Sequence, residues 1–428
     1  MILPAILSAV IFLGSLILIF WEKVDRTIVA ISGSALIVVL GRIFGFYTEK
    51  AAIEAIDFNT LGLLLGMMII VSMLEPTGFF QYLAVLAARA SKGQPARLFL
   101  LLCVITTVLS MFLPNVTTVV LIAPVTLLIS EIMGISSIPY LIAEALLSNT
   151  GGVATLIGDP PNVLIASAAN FSFNDFLLYS MPIVLISWVG VFFLLQYIFK
   201  KELSKRPRRV KAVLSLNPAE TLNDPLTARR VLTVLGIAIL FFFLNHALGI
   251  SPAFIALSSG AVALAWIRPN LDELLRKLEW NVLIFFSALF VMVGGLQHAG
   301  VLSAIVGLLE RLPPTSPVLF GVVLIWVVAA LSAVVDNIPI TIALIPIIKG
   351  LGEAGMDIGP LWWALAFGAG FGGNGTIVGS TVNIIVAELS RKTRTPITST
   401  LWLRRGLPVM LVTCTIASIL YALVYRWL

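Results

Sequence analysis

A polar stretch interrupts a long apolar segment at residues 148–162, which read SNTGGVATLIGDPPN. A helix cannot run unbroken through Asp159, Pro160 and Pro161, because each proline removes a backbone donor and clashes with the preceding turn. Lipid cannot satisfy the backbone groups that such a break exposes, so the break has to be packed in protein or line a cavity. The stretch therefore predicts a discontinuous membrane helix with polar side chains at its break, which is the usual construction of a transporter binding site.

A second copy of this pattern occurs at residues 372–383, which read GGNGTIVGSTVN. The pairs that match at an offset of 221 residues are Gly151 with Gly372, Thr155 with Thr376, Gly158 with Gly379 and Asn162 with Asn383. At an offset of 222 residues the matches are Asn59 with Asn281, Ser110 with Ser332, Asn115 with Asn337 and Pro124 with Pro346. Glycine-mediated helix packing would repeat glycines alone. Matches in separate segments at nearly one offset indicate an internal duplication.

The composition places the chain in a membrane. Its 428 residues are 59% hydrophobic and 11% charged, whereas a soluble domain has about 25% charged residues. Residues 3–20 read as a membrane span and not as a cleaved signal peptide. The two cysteines, Cys103 and Cys414, cannot form a thiolate metal cluster, and the chain has no phosphate-binding loop or nucleophile elbow. We expect no enzymatic activity, no catalytic or metal-binding residues and no nucleic-acid partner.

We predict an all-α polytopic membrane protein of two inverted five-span repeats, ten transmembrane helices in all, with two re-entrant hairpins and two broken helices. The N-terminal repeat covers residues 1–200, with its hairpin at 98–132 and its broken helix at 138–170. A basic cytoplasmic linker at 201–229 leads to the C-terminal repeat at 230–428, with its hairpin at 318–348 and its broken helix at 360–388. The first hairpin has arms of about 16 residues, which are short for full spans. Because five is odd, the second repeat must be inverted.

Positive charges set the predicted orientation. With the linker in the cytoplasm, all but five of the 27 lysine and arginine residues lie on that side, the exceptions being Arg42, Lys50, Arg311, Lys349 and Arg426. Cytoplasmic loops of membrane proteins carry this excess of positive charge. We therefore predict a multi-pass protein of the cell inner membrane with both termini on the periplasmic or extracellular side. A lipid-binding or partner-binding patch is the alternative interpretation of the basic linker.

Inverted repeats bring hairpin tips and helix breaks together near the middle of the membrane. The predicted tips are residues 113–118 and 335–341, and the polar side chains of the tips and breaks are mainly amides and hydroxyls. We predict that substrate is bound by Asn115, Thr117, Thr118, Asn162, Asn337, Ser380 and Asn383.

Two acids, Asp159 and Asp336, lie in the same segments, and we predict that they couple transport to an ion. An ionisable residue inside a membrane is costly and is by default a functional hypothesis. Two roles stay open, a proton carrier and a sodium ligand, since carboxylate oxygens suit both. The structural alternative for Asp159 is a helix cap, because it directly precedes two prolines that can open a helix. Glu144, in the helix before the first break, is a third candidate acid.

The motifs NTGG at 149–152 and GDPPN at 158–162, together with DNIP at 336–339, resemble the ion transporter superfamily. They are most similar to its branch of arsenite efflux permeases, melanosomal P proteins and sodium/proton antiporters, and the resemblance covers nearly the whole chain. The divalent-anion/sodium symporter branch has a Ser-Asn-Thr triplet at both hairpin tips, which this chain lacks. Neither tip segment contains an arginine, so we expect none there to hold a dianion.

The resemblance implies an elevator-like fold, in which hairpins and broken helices move against a scaffold of outer spans, and it implies a homodimer. We expect proton-coupled efflux of arsenite or antimonite, a small inorganic substrate, driven by the proton gradient and without a cofactor. A sodium/proton antiporter is the first alternative, with sodium as an ion that could be coupled. An anion transporter for chloride or a carboxylate is another. A channel, or a membrane subunit whose linker docks a cytoplasmic ATPase, belongs to a different class.

Overall fold

All regular secondary structure is helical in the residues that this computed structural model describes, which are 2–21, 24–205, 207, 209–301, 304, 307, 316–391, 393 and 395–427. The predicted all-α class is confirmed. The helices of the first half are α1 (Ile2–Trp21), α2 (Arg26–Phe44), α3 (Glu49–Glu54), α4 (Phe58–Leu74), α5 (Phe79–Ala90), α6 (Pro95–Phe112), α7 (Asn115–Met133), α8 (Ile138–Gly152), α9 (Pro160–Ala169) and α10 (Phe173–Ile198).

The linker carries two short helices, Lys200–Leu203 and Val210–Leu214. The helices of the second half are α11 (Pro225–Leu248), α12 (Pro252–Ile267), α13 (Leu271–Lys277), α14 (Trp280–His298), α15 (Pro317–Ser332), α16 (Asn337–Glu353), α17 (Gly359–Gly372), α18 (Thr381–Ser390) and α19 (Ser399–Val424). Side-chain caps fix several helix starts: Asp25, for example, accepts from the backbone of Thr27 at 2.8 Å at the start of α2.

Eight helical segments in the described part are long and apolar enough to cross a membrane, those of α2, α4, α6, α7, α10, α11, α14 and α19. Further apolar segments, among them α1 and α12, are shorter. Large apolar side chains point outward along the outer helices, as Leu3, Val10 and Leu13 do on α1, which suits contact with lipid. The chain is therefore a multi-pass membrane protein. Ten spans and an inverted second repeat stay predictions.

Helices α6 and α7 form a hairpin that packs along α8. The Tyr140 hydroxyl, near the start of α8, donates to the carbonyl of Pro95 at the start of α6 (3.2 Å). The Ser110 hydroxyl, near the end of α6, donates to the carbonyl of Ser148 near the end of α8 (2.7 Å). Helix α7 then returns, because it ends at Met133, shortly before α8 begins. Both open ends of the hairpin thus lie at the start of α8, and its tip lies at the helix break.

The arms of this hairpin are longer than expected. Helix α6 has 18 residues and α7 has 19, and each is long enough for a span. The arm-length argument for a re-entrant hairpin is therefore wrong. The first arm is longer than predicted because α6 begins at Pro95, and a proline fits the first turn of a helix. The hairpin interpretation depends instead on the contacts with α8.

The second half repeats these contacts. The Ser332 hydroxyl donates to the carbonyl of Ala369 (2.7 Å), as Ser110 does to Ser148 in the first half. Helix α15 packs along α17 as α6 packs along α8, and α2 packs on α14 as α12 packs on α4. The duplication in the sequence is therefore also a duplication of tertiary contacts.

The predicted orientation can be tested by labelling the linker. Ser204 and Ser215 are exposed there, so single cysteines at these positions, in a chain lacking Cys103 and Cys414, should react with a membrane-impermeant maleimide only in inside-out vesicles. Lys50→Cys, on the predicted outer side, is the matched control and should react only in intact cells. Labelling of the linker in intact cells would overturn the orientation.

Candidate functional site

Each helix break is closed by an asparagine from the helix that follows it. The side-chain amide of Asn162 donates to the carbonyls of Gly152 and Thr155, at 3.0 and 2.8 Å. Its repeat counterpart, Asn383, donates to the two equivalent carbonyls at 2.7 and 2.8 Å. A break leaves such carbonyls without helical donors, and a buried carbonyl needs a partner. The Nδ2 groups of both predicted binding residues are therefore used to hold the backbone.

The carboxylate of Asp159 lies where the two hairpin tips meet. Its Oδ1 is 3.4 Å from the amide nitrogen of Asn115, at the first tip, and its Oδ2 is 3.1 Å from that of Asn337, at the second. The side chain is 2% exposed. None of the ion pairs in the described residues includes Asp159. A buried carboxylate thus receives amide donors from both repeats and has no cation beside it.

Helix capping does not explain Asp159. The residue occupies the N-cap position of α9, but its side chain makes no hydrogen bond to the backbone there. The two carboxylate oxygens instead face the side-chain amides of Asn115 and Asn337. The capping alternative is therefore wrong, and the side chain belongs to the polar centre.

Asn149 joins the two breaks. Its Oδ1 accepts hydrogen bonds from Asn115 at 3.3 Å and from the Ser380 hydroxyl at 3.0 Å. Its Nδ2 donates to Oδ1 of Asn374 at 3.1 Å and to Oδ1 of Asn383 at 3.0 Å. Every polar atom of this buried side chain is therefore paired, and one residue from α8 fixes the position of the second break relative to the first.

Asp336 has a different environment from Asp159. Its Oδ2 forms an ion pair with Arg26 at 3.0 Å, and the Thr381 hydroxyl lies 3.5 Å from the same oxygen. The guanidinium of Arg26 also lies over the ring of Phe285, 5.5 Å from its centre. These groups line a cavity of about 310 Å³, which also contacts Asp25 and Val378. The second tip is therefore at the wall of a cavity.

Arg26 corrects the expectation that no arginine reaches a hairpin tip. It is the first residue of α2 and lies 310 residues before Asp336 in the chain. The expectation considered only the tip segments themselves. Tertiary packing brings the start of α2 to the tip, so a cation is present beside one of the two acids.

The remaining predicted residues differ in their contacts. Thr118 is fully buried, and its hydroxyl has no hydrogen-bond partner among the described atoms. Thr117 is half-buried at the first tip. No group of three or more His, Cys, Asp and Glu side chains that could hold a metal ion occurs in the part of the chain that the structure describes.

Three members of the polar centre are absent from the predicted set: Asn149, Asn374 and Arg26. The first two lie inside the duplicated motif, Asn149 two residues before Gly151 and Asn374 between Gly373 and Gly375, where an amide close to glycines is itself a signal. They are not repeat counterparts of each other, so the repeat offset does not pair them. Arg26 has no local signal, because its role depends on a contact distant in sequence.

Comparisons with known proteins identify the family and the fold. The family model described as "Citrate transporter" matches residues 16–368, which is most of the chain. The chain belongs to the citrate transporter family. This is a family of membrane transporters and not of enzymes, and the resemblance to the ion transporter superfamily is confirmed.

Relatives of similar length include a "46 kDa membrane protein" of Mycobacterium leprae (strain TN). That protein is 37% identical over 432 residues, covering 99% of this chain and 98% of the relative. The human P protein is 32% identical over 492 residues, covering 96% of this chain and 59% of the relative. The crystal structure of the YdaH transporter of Alcanivorax borkumensis has the same fold, with a TM-score of 0.61 at 17% identity, covering 99% of this chain and 98% of that one.

Proposed function

We propose that this transporter exports arsenite or antimonite, as neutral hydroxides, in exchange for protons. The observation that carries the proposal is Asp159, a buried carboxylate with amide donors from both hairpin tips and no cation in contact. Polar groups at the meeting point of repeats and helix breaks form the binding site in many secondary transporters.

The chemistry of the polar centre suits a neutral hydroxide. Such a solute presents O–H donors and oxygen acceptors, and amides, hydroxyls and a carboxylate can pair with both. A neutral solute brings no charge that the site would have to balance. A multiply charged anion would approach Asp159 directly and be repelled, because like charges in a site of low dielectric repel strongly.

Competition at Asp159 supplies the exchange. A carboxylate accepts hydrogen bonds from the O–H groups of the solute, whereas a protonated carboxyl donates one itself. Proton and solute therefore occupy the site in turn. A transporter exchanges proton and solute if its site crosses the membrane when it holds either of them and does not cross when it is empty.

The proposal includes an elevator movement in the cell inner membrane, with the linker in the cytoplasm, and a homodimer. Helices α2, α4, α12 and α14 pack on one another in pairs, while the hairpins pack on the broken helices. We assign the first group to the scaffold and the second to the moving part. Movement of the second group would carry Asp159 and its neighbours across the membrane.

A carboxylate anion is the second candidate substrate. It is favoured by the family description and by Arg26, which lines the cavity beside Asp336 and could hold a carboxylate if Asp336 released it. Arginine matches a carboxylate with two parallel hydrogen bonds, which favours this substrate class over chloride.

A first experiment is growth rescue of an arsenite-sensitive host. The deciding experiment is arsenite uptake by everted vesicles with an imposed pH gradient. Vesicles with an acidic interior should accumulate arsenite and should lose it when the gradient is collapsed. Accumulation of citrate without arsenite would favour the second candidate. A sodium-driven pH change with neither solute would indicate a sodium/proton antiporter, and arsenite entry that never exceeds equilibration would indicate a channel.

Arsenite transport should not require a thiol. Soft metalloids are often held by several thiolates, but Cys103 and Cys414 are buried in α6 and α19, and neither hydrogen-bonds to the polar centre. The Cys103→Ser/Cys414→Ser variant should therefore retain the wild-type initial rate of pH-driven uptake, with Cys→Ala replacements as the apolar control. Loss of uptake at normal expression in both variants would reject a site built from hydrogen bonds.

A further inference from the structure

Glu144 is a buried acid that the proposed exchange at Asp159 does not use. Its side chain, in the middle of α8, is 0% exposed. Oε1 accepts a hydrogen bond from the Thr126 hydroxyl of α7 at 2.5 Å. Oε2 has no hydrogen-bond partner among the described atoms. Half of the carboxyl group is therefore unpaired inside the first hairpin.

No described cation balances this acid. The titratable groups nearest in the fold are uncharged: Cys103 lies on α6, which packs against α8, and Tyr140 lies on α8 itself. The charged side chains of the helices packed against α8 are otherwise exposed or engaged elsewhere: Arg97, Glu131, Glu388 and Arg404 are exposed, Arg405 lies over the ring of Phe199, and Asp175 is bound to Ser172. Burying a carboxyl group without its full set of partners costs free energy, so the acid needs a reason other than packing.

The second repeat shows that the fold does not need it. The positions equivalent to Glu144 and Thr126, at offsets of 221 and 222 residues, are Leu365 on α17 and Ile348 on α16. Both are buried in one apolar cluster. The same pair of helices therefore packs with two aliphatic side chains where the first repeat has an acid and a hydroxyl.

The acid is connected to the polar centre through α8. Ser148 follows it by one helical turn, so the two side chains share a face. The Ser148 hydroxyl lies 3.2 Å from the carbonyl of Asn115 and 3.1 Å from the Ser110 hydroxyl. Asn115 in turn contacts Asp159. A shift of α7 along α8 would alter the Thr126–Glu144 contact and the Ser148–Asn115 contact together.

We propose that Glu144 is a second proton-binding site, enclosed by the first hairpin and separate from Asp159. It carries one additional proton per transport cycle. The inference rests on the proposed function, since it adds a proton to the exchange proposed there. Among the described residues Glu144 hydrogen-bonds to Thr126 and not to the side chains that meet at Asp159, so it sets the number of protons and not the identity of the solute.

The test is the steady-state accumulation of arsenite at an imposed difference of one pH unit, with the membrane potential clamped at zero. Two protons per neutral solute give about 100-fold accumulation and one proton gives about 10-fold, because each proton contributes one factor of ten per pH unit. We expect wild type near the first value and Glu144→Gln near the second. An unchanged accumulation ratio in Glu144→Gln would overturn the proposal.

A second variant guards against a folding defect. Thr126→Ile/Glu144→Leu copies the pair found in the second repeat, so it should fold and should show the same tenfold lower accumulation. Wild-type accumulation in this variant would also overturn the proposal. Glu131→Gln, which removes an exposed acid of α7 and keeps Glu144, is the matched control and should keep the higher ratio.

A readout without substrate separates this proposal from the proposed function. The carbonyl band of a protonated carboxyl group in infrared difference spectra of the purified protein should change with pH in wild type, and one component should be missing in Glu144→Gln. Persistence of the full band in that variant would reject Glu144. Absence of arsenite accumulation in wild type would reject the proposed function instead and would leave the infrared result to decide on Glu144.

Discussion

Replacing Asp159 with asparagine should abolish pH-driven accumulation of arsenite in everted vesicles. The carboxylate is the group at which proton and solute are proposed to compete, and asparagine does not titrate. Glu144 cannot replace it, because it does not reach the tips. Counterflow of arsenite should persist at a reduced rate, since asparagine keeps one accepting oxygen.

The same change has a predictable effect on stability. Asn115 and Asn337 both donate to the carboxylate, but an asparagine at this position offers one oxygen and one N–H₂ group. One of the two tip amides would then face another donor. A buried donor without an acceptor costs about 1–3 kcal/mol, which should appear as a lower thermal unfolding temperature of the purified protein.

Two controls make the result specific. Asp159→Ser copies Ser380, the repeat counterpart, and should fold while lacking accumulation. Asp357→Asn removes an exposed acid next to α17 and should leave accumulation unchanged. Wild-type accumulation in Asp159→Asn would show that the coupling group lies elsewhere.

The polar residues at the breaks were predictable because the same motif occurs in both halves of the sequence. Asn162 and Asn383 stand at matching positions after matching glycines, and in both halves the amide closes the break in the same way. The prolines predict where α9 begins, since backbone chemistry near a proline is local. Such features depend on residues that are close in sequence, and a duplicated chain shows each of them at two places.

The contacts between halves could not be predicted in this way. Asn149 meets Asn374 across the two breaks, although its own counterpart in the second half is Gly370. Arg26 meets Asp336 only because α2 packs on α14 and brings its first residue to the second tip. These features depend on the packing of whole helices and not on the pattern along one of them.

Removing both charges of the Arg26–Asp336 pair should shift the protein away from the conformation described here. The pair joins α2, assigned to the scaffold, to the tip of the second hairpin, assigned to the moving part. An elevator movement would have to break it. Arg26→Gln/Asp336→Asn should therefore favour the opposite conformation, because the ion pair stabilises only this one.

A cysteine in the cavity reports that shift. Val378 lines the cavity beside the pair and is 36% exposed, so Val378→Cys should react with a hydrophilic thiol reagent when Arg26 and Asp336 are both present. Its reaction rate should fall in the double variant. An equal rate in both backgrounds would show that the pair does not hold this conformation.

The single variants separate a latch from a substrate ligand. Arg26→Gln leaves Asp336 in the wall of the cavity without its cation, which should cost about 1–2 kcal/mol for a partly exposed pair. Adding Asp336→Asn should recover most of that loss, as measured by thermal unfolding. If Arg26 only latches the tip, arsenite counterflow survives in Arg26→Gln and citrate is never transported. If Arg26 instead holds a substrate carboxylate, the wild type transports citrate and Arg26→Gln abolishes that transport. Asp336→Asn frees the guanidinium of Arg26, so this variant binds citrate without protonation at position 336.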